Sequence, residues 1–222
     1  MPNHCENTLT LHGTARQCGK FAREHYRIPD EWEPADWQKT PQKTPPKTHL
    51  DLGASVPLPP EPRGNFNDVG YNWCIKNWGT KWGTYDVAQD EENFNARIHE
   101  IYEGKEPTDA SEVSYNFQSA WSPPLEWAMK ASILYPTMLF DMTYIDEGFN
   151  FVGRTIIRDG AMLGEWYREH DHLADDMTDD EKKLYLDDDG DIDWEGNILE
   201  YIHNKLEESL DPDKWLCYTT VS

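Results

Sequence analysis

The sequence changes its hydrophobic period from two residues to about 3.6 at two places, and each change predicts a strand followed by a helix. The first lies at residues 7–13, which read NTLTLHG. Leu9 and Leu11 alternate with polar residues there, as in a strand with one buried face. Thr14 is a residue type favoured at helix N-caps, so we expect a helix to begin after it. The predicted apolar stripe of that helix is Cys18, Phe21, Ala22 and His25.

The second change lies at residues 111–121, which read SEVSYNFQSAW and alternate more strictly. A helix is predicted to follow over residues 122–135. Ser122 fits its N-cap, and Pro123 fits its first position, where the missing N–H costs nothing. The predicted apolar faces are Val113, Tyr115 and Phe117 for the strand, and Leu125, Met129 and Ile133 for the helix.

Two more strands are predicted after this helix, at residues 138–146 and 149–160, with Glu147 and Gly148 in the turn of a hairpin. Residues 162–167 either extend the sheet or begin another helix. The order is strand, helix, one or two strands, strand, helix, strand, strand. We therefore predict an α+β chain with a ferredoxin-like βαββαβ sheet.

Residues 27–70 interrupt this pattern and contain nine of the fifteen prolines in the chain. Proline fixes φ and removes a backbone donor, so this insertion is predicted to be a loop with polyproline-like stretches. Its near-repeat KTPQKTPPKTHL places Lys39, Lys43 and Lys47 at regular intervals. A solvated insertion is favoured over a docking arm, because surface loops are usually of the first kind.

The end of the chain is acidic and has a helical pattern at residues 175–186 and 194–210. The second of these segments carries an apolar stripe that must pack on another part of the protein. That stripe consists of Trp194, Ile198, Tyr201, Ile202 and Leu206. We therefore predict a ferredoxin-like domain at residues 1–168 and an acidic helical extension, residues 169–222, packed on it.

The net charge is −22, of which the extension contributes −14, from 18 acids against 4 lysines. Such a charge repels nucleic acids and anionic membranes over most of a protein surface. The sequence therefore predicts neither direct nucleic-acid binding nor membrane binding. A basic protein is the natural complement of this surface.

The cysteines are Cys5, Cys18, Cys74 and Cys217, and they form no CxxC pair. Scattered cysteines disfavour a zinc ribbon or a disulfide framework and suit a reducing compartment. The N-terminus has neither the basic nor the apolar region of a signal peptide, and no apolar run approaches ~20 residues. We therefore expect a cytoplasmic protein without a cofactor or a structural metal.

Four stretches of the chain resemble YubB-like proteins, a family of unknown function found in bacterial plasmids and phages. They are MPNHCENTLTLHG at the start, NWCIKNWGTKWGTYD, SAWSPPLEWAMK, and the hairpin YIDEGFNFVGRTIIRDG. The blocks occur in the order that the family has and touch most of residues 1–160. The resemblance implies a ferredoxin-like domain and a mobile-element origin, but no activity. Where the hairpin of the family usually has glutamate and proline, this chain has Asp146 and Glu147.

Three tryptophans, Trp73, Trp78 and Trp82, lie close together in residues 71–86. In the structural interpretation, Trp73 and Trp78 are core residues of a short helix that Gly79 ends, and Trp82 begins a strand. In the functional interpretation, the side chains form a stacking platform for a base, a sugar or a peptide. The residues of that platform are Asn77, Trp78, Lys81 and Trp82. The structural interpretation is favoured, because most tryptophans serve packing.

A second candidate ligand or enzymatic site includes Asn3, Cys5 and Asp146 with the tryptophan platform. Cys5 and Cys74 could both approach His4, which suggests a Cys/His nucleophile or metal site, but no spacing supports it, and a catalytic cysteine needs a base that converges on it in space. No residue is therefore assigned a catalytic role, and the sequence favours a binding protein over an enzyme.

Two acidic stretches offer metal-ligand types without the spacing of a metal site. The first is His170-Asp171-His172 with Asp175 and Asp176, which lacks an H-E-x-x-H pattern. The second is DDDGDID at residues 187–193, whose EF-hand alignment puts Tyr185 at position 1 and Gly196 at position 12. A solvated surface and a turn between helices are the favoured interpretations.

On a helix over residues 175–186, four carboxylates would fall on one face, as a row that imitates the phosphates of DNA. The residues predicted to bind a partner are Asp175, Asp176, Asp179, Asp180, Asp187, Asp188, Asp189 and Asp191. The expected partner is a basic host protein that handles nucleic acid. The leading hypothesis is thus a phage or plasmid accessory protein, a DNA mimic or anti-defence inhibitor; the alternative is a small-ligand or enzymatic module at the tryptophans.

Overall fold

The computed structural model describes residues 3–26, 50–89, 110–148, 150–186 and 198–210. The strands are β1 (His4–Thr14), β2 (Tyr85–Gln89), β3 (Ala110–Ala120), β4 (Leu139–Asp146), β5 (Phe151–Arg158) and β6 (Ala161–Glu169). The α-helices are α1 (Ala15–His25), α2 (Pro60–Gly64), α3 (Tyr71–Trp78), α4 (Leu125–Leu134), α5 (His170–Leu173), α6 (Asp179–Tyr185) and α7 (Ile198–Ser209). Shorter helical turns lie at Leu52–Ala54, Phe66–Gly70 and Ala174–Asp176.

The strands form a six-stranded antiparallel sheet in the order β2-β3-β1-β4-β5-β6. The first four strands in that order, β2-β3-β1-β4, have the order of a ferredoxin-like sheet, in which β1 and β3 are central. The predicted α+β, ferredoxin-like fold class is therefore confirmed. β5 and β6 extend the sheet at the β4 edge, and β6 decides between the two alternatives for residues 162–167 in favour of a strand.

One face of the sheet packs against α1 and α4 around a large core. Leu9 and Leu11 of β1 lie in it, and so does the predicted stripe of α1. The predicted N-cap is also confirmed, because the Thr14 side chain accepts the Gln17 N–H and the Gln17 side chain accepts the Thr14 N–H. This capping box satisfies two donors that would otherwise be unpaired. The predicted inner face of β3 is buried: Val113, Tyr115 and Phe117.

The predicted start of α4 is wrong, and its predicted apolar face is correct only in part, because Leu125 and Met129 are half-buried against the core. The helix begins at Leu125 after Pro124, and the Ser122 hydroxyl donates to the Gly79 carbonyl, 2.5 Å away, instead of capping it. The buried face carries Trp127, Ala128 and Ala131, whereas Ile133 is 56% exposed. Trp127 is the largest of the fully buried side chains described, and its burial matches this orientation of the helix.

The described part of the insertion, residues 50–70, corrects the predicted loop. It contains short helical turns, and Leu50 and Leu52 are fully buried in the main core. The Leu52 carbonyl accepts the indole N–H of Trp127 at 3.1 Å. This end of the insertion is therefore part of the domain. The lysines Lys39, Lys43 and Lys47 lie outside the described residues.

The opposite face of the sheet carries a second, smaller core where the acidic extension meets β4, β5 and β6. Its buried members are Val152, Leu173, Met177, Tyr185, Tyr201, Ile202 and Leu206. Tyr201, Ile202 and Leu206 belong to the stripe predicted for α7, which contacts β5. The domain boundary at residue 168 stays a prediction. Within the described ranges, no helix has the length and apolar character needed to cross a membrane.

Candidate functional site

The acidic residues of the extension do not form one helical row. Asp175 and Asp176 lie in the turn Ala174–Asp176, and Asp179 and Asp180 lie in the first turn of α6. Thr178 separates the two pairs, because its side chain caps α6 by accepting the Glu181 N–H at 3.3 Å. The predicted single helix over residues 175–186 is therefore wrong. The helical turn ends at Asp176, and the capping box of Thr178 and Glu181 begins α6.

Three of these carboxylates have a side-chain partner at the surface. Asp176 pairs with Arg168, the Asp175 carboxylate lies 3.1 Å from His172 Nδ1, and the Asp180 carboxylate lies 2.9 Å from Lys183 Nζ. All four aspartates stay exposed. Exposed pairs contribute only ~0–1 kcal/mol each and exchange readily for another partner.

The remaining acidic candidates lie outside the described residues: Asp187, Asp188, Asp189 and Asp191, with the rest of the DDDGDID stretch. The side chains of His170 and Asp171 also lie outside them. Where side chains are described, no group of three His, Cys, Asp or Glu residues is arranged to hold a metal ion. Neither predicted metal alternative is tested at those undescribed positions.

The hypothetical Cys/His site is not assembled. Cys5 is fully buried, and burial together with the nearby Asp146 charge raises the pKa of its thiol. The His4 ring instead lies with Nδ1 2.6 Å from the Tyr85 hydroxyl. Burial also raises the pKa of Cys74, to about 11. Both thiols therefore stay protonated and are poor nucleophiles at neutral pH.

Asp146 and Asn3 have structural positions at the end of the sheet. The buried Asp146 carboxylate accepts the backbone N–H groups of Gly148 and Asn150, at 3.1 and 3.3 Å, and so closes the β4–β5 turn. The Asn3 carbonyl accepts the Trp121 N–H at 3.0 Å. The hydrogen bonds of both residues are thus structural, and neither residue is assigned to a ligand site.

The tryptophan-rich stretch is mostly core, as the structural interpretation predicted. Gly79 ends α3 in the left-handed conformation with φ 81°. Trp78 is 7% exposed, and its indole N–H donates to the Val56 carbonyl at 2.8 Å. Asn77 is engaged as well, because its Oδ1 accepts a hydrogen bond from Lys130 Nζ at 2.9 Å. Trp82 is half-buried and lies before β2, so the prediction that it begins the strand is wrong.

Sequence reasoning missed Trp121, an aromatic residue that lies beside Lys81. Trp121 has φ 74° and is 44% exposed, and Lys81 Nζ lies 4.2 Å from the centroid of its ring. Tyr71 and Trp82 complete the group, with ring centroids 5.9 Å apart. No sequence signal marks Trp121, because it follows a strand whose alternation stops at that point.

The left-handed conformation of Trp121 is imposed from both sides. Its own N–H donates to the Asn3 carbonyl, and the Thr80 hydroxyl donates to the Ala120 carbonyl at 2.9 Å. A bulky residue at positive φ is strained by about 1–3 kcal/mol and persists only where its surroundings hold it. We call Lys81, Trp121, Trp82 and Tyr71 the Lys81 platform.

The part of the chain that contains α4 and β4 has a counterpart among known families. Residues 84–188 match the family model of the ferredoxin-like domain in Api92-like protein. This Api92-like region contains β2 to β6, with α4, α5 and α6; β1, which lies between β3 and β4, is outside it. The match supports the ferredoxin-like domain that the YubB-like resemblance implied. It says nothing of YubB-like proteins themselves or of a phage or plasmid context, which stay predictions.

The structure also resembles a crystal structure of the protein api92 from Yersinia pseudotuberculosis, at 8% identity. The likeness covers 76% of this chain and 98% of that protein with a TM-score of 0.47, and it carries no argument about function. None of the curated proteins matches the chain significantly.

Proposed function

We propose that the protein binds a basic protein partner through the acidic extension, without catalysis. The observation that carries this proposal is the exposure of Asp175, Asp179 and Asp180 on a segment that buried side chains fix to the sheet. Leu173 and Met177 anchor this segment on either side of Asp175. Carboxylates held in place need little ordering on binding, so they favour association more than a mobile acidic tail does.

The charge of the molecule supports the same proposal. A net charge of −22 attracts a cationic surface over a long range and repels nucleic acid. Imitation of a phosphate ladder is the narrower form of the hypothesis, and the break at Thr178 interrupts the regular row it needs. We therefore propose a partner bound through charge, and an anti-defence role stays a prediction that combines the acidic surface with the expected mobile-element origin.

The test compares three purified proteins: the parent chain, an acidic variant and a control of equal charge. The acidic variant carries Asp175→Asn, Asp179→Asn and Asp180→Asn. The control carries Glu61→Gln, Asp68→Asn and Glu126→Gln, which neutralise exposed acids far from the extension. Each immobilised protein is incubated with the heparin-binding fraction of a bacterial lysate.

The proposal expects basic proteins that the parent and the control capture, that the acidic variant loses, and that moderate salt elutes. Equal capture by the parent and the acidic variant would overturn it, and so would capture that resists salt. Circular dichroism of the three proteins establishes that each is folded.

A second candidate function is favoured by the strained Trp121. We propose that the Lys81 platform binds a small anionic ligand with a planar ring, the ring on the exposed aromatic surface and the anion on the Lys81 ammonium. Adenosine monophosphate is a suitable probe, and its affinity is measured by calorimetric titration. Trp121→Asn keeps a residue that tolerates positive φ and removes the ring. Lys76→Met, which removes an exposed lysine of α3, is the control for Lys81→Met and should leave the affinity unchanged. If Trp121→Asn and Lys81→Met both bind the probe like the parent, the Lys81 platform is not its binding site.

A further inference from the structure

A cavity of about 300 Å³ lies on the polar face of the sheet, beside the helix of the acidic extension. Its side-chain lining includes Glu6, Thr8, Asn116, Gln118, Ile145 and Leu206. The antiparallel register explains this grouping. Glu6 of β1 pairs with Gln118 of β3 and with Ile145 of β4, and Thr8 pairs with Asn116 and Thr143. The cavity is thus built by two adjacent cross-strand rows and closed at one end by α7.

The lining is rich in hydrogen-bond acceptors and carries a negative charge. Glu6 supplies an exposed carboxylate, and Gln118 supplies an amide next to it. The Thr8 hydroxyl donates to Asn116 Oδ1 at 2.8 Å, so its lone pairs stay available as acceptors. Among the described residues that line the cavity there is neither lysine nor arginine. The nearby Arg154 guanidinium, which donates to the Leu206 carbonyl, is paired with Asp141, so Glu6 is the charged group of the lining itself.

The apolar part of the lining indicates a second property of the ligand. Ile145 and Leu206 stand on the α7 side, with Leu206 itself buried. A ligand with a planar cationic head and an apolar stem matches this division. Guanidinium binds a carboxylate with two parallel hydrogen bonds and is more weakly hydrated than ammonium, and its methylene stem packs on apolar surface. The volume is at the low end for ligand pockets and suits one side chain.

We propose that this cavity binds a guanidinium group, with Glu6 as the counter-ion and Ile145 and Leu206 as the wall for the stem. We assign the arginine to the basic partner, and this assignment rests on the proposed function. The match between the cavity and a guanidinium group is independent of that function. Free arginine has the same head group, so the experiment uses both forms.

The probes are N-acetyl-arginine amide, free arginine and N-acetyl-lysine amide, each titrated into the ¹⁵N-labelled full chain. Backbone resonances of Glu6, Thr8 and Asn116 report binding. We expect these signals to shift with the arginine amide, and affinity to fall about tenfold or more in Glu6→Gln, because a charged hydrogen bond is lost. Glu126→Gln, an equal charge change on α4, should leave affinity unchanged.

The proposal is overturned if Glu6→Gln binds the arginine amide like the parent, or if the lysine amide binds as tightly as the arginine amide. If free arginine binds more tightly than the blocked amide, the ligand is a small molecule and not an arginine side chain of the partner. Unchanged resonances outside β1, β3 and β4 in Glu6→Gln establish that the variant is folded.

The two proposals fail separately. If Glu6→Gln lowers arginine affinity while the acidic variant still captures the same basic proteins, the cavity stands and the acidic extension is not the interface. If capture depends on the three aspartates while the arginine amide does not bind, the extension stands and the cavity proposal fails.

Discussion

The guanidinium of Arg154 holds the carboxylate of Asp141 with two hydrogen bonds, at 2.8 Å from Nε and 2.6 Å from Nη2. The remaining nitrogen, Nη1, donates to the carbonyls of Leu206 and Glu207 at 2.6 and 3.1 Å. One side chain of β5 therefore joins β4 to the C-terminal end of α7, where a positive charge complements the helix dipole. Burial opposes ionisation of Asp141, but the two hydrogen bonds and the positive charge of Arg154 outweigh it and lower the pKa of the carboxyl.

Arg154→Met is expected to lower the free energy of unfolding by about 3–5 kcal/mol, because it leaves the buried Asp141 charge without its partner. The measurement is equilibrium denaturation in guanidinium chloride. The double variant Arg154→Met with Asp141→Leu should recover part of the loss, since both charges are then absent. Lys183→Ala, which removes the exposed pair with Asp180, should change stability by less than about 1 kcal/mol. A small loss in Arg154→Met would mean that the pair contributes no more than a surface pair.

His25 is expected to make stability depend on pH below neutrality. Burial lowers its pKa from 6.5, while the Phe21 carbonyl and the carboxylates of Glu24 and Asp51 oppose that shift. The unfolded chain takes up a proton near pH 6.5 and the folded chain does not, so stability is full above that pH and falls below it. Denaturation midpoints between pH 8 and 5 measure the effect.

The control for His25 separates it from the other titrating groups. His25→Phe should flatten the decline between neutrality and mild acid, because its ring can still stack but cannot be protonated. His172→Gln, which changes an exposed histidine, should leave the decline as it is in the parent. Identical curves for the parent and His25→Phe would contradict the assignment.

Gly79→Ala is expected to destabilise the protein by about 1–2 kcal/mol, because an L side chain at positive φ is strained. An added Cβ would also lie 3.2 Å from the Pro123 carbonyl oxygen. Gly64→Ala is the matched control, since its Cβ meets no atom within 4 Å. That substitution in α2 should be neutral or stabilising by up to about 1 kcal/mol. Thermal denaturation of both variants measures the difference, and equal effects would contradict the role of Gly79.

Thr178→Ala is expected to lower stability by about 1 kcal/mol, because the Glu181 N–H loses its cap. Thr14→Ala removes the equivalent cap of α1 and should cost a similar amount. The comparison is made by urea denaturation. A loss in Thr14→Ala alone would show that the start of α6 contributes little to the stability of the folded chain.

The patterns that sequence reasoning interpreted correctly are those that repeat within one element. The stripe of α1 and the alternation of β3 were enough to orient these elements, because burial of one face is enforced at every turn or pleat. The Gly79 cap was predicted from the same kind of local chemistry. The face of α4 was predicted only in part, since several apolar faces compete in that helix and the fully buried Trp127 lies off the predicted row.

The candidate sites depended on contacts that a linear pattern does not contain. The acidic row was broken by one side-chain hydrogen bond at Thr178, and the platform residue Trp121 owes its conformation to Asn3 and Thr80, which are distant in sequence. The cavity at Glu6 arises only when β3, β1 and β4 lie in register.

The sequence by itself determined the order of strands and helices, the ferredoxin-like class and the surplus of negative charge, because periodicity and composition are properties of neighbouring residues. The tertiary structure alone decided that Arg154 joins Asp141 to α7, that Trp121 stands exposed beside Lys81, and which carboxylates stay at the surface. Those results depend on the three-dimensional packing of elements far apart in the chain, where a single buried charge or large side chain selects one arrangement among several that the local pattern allows.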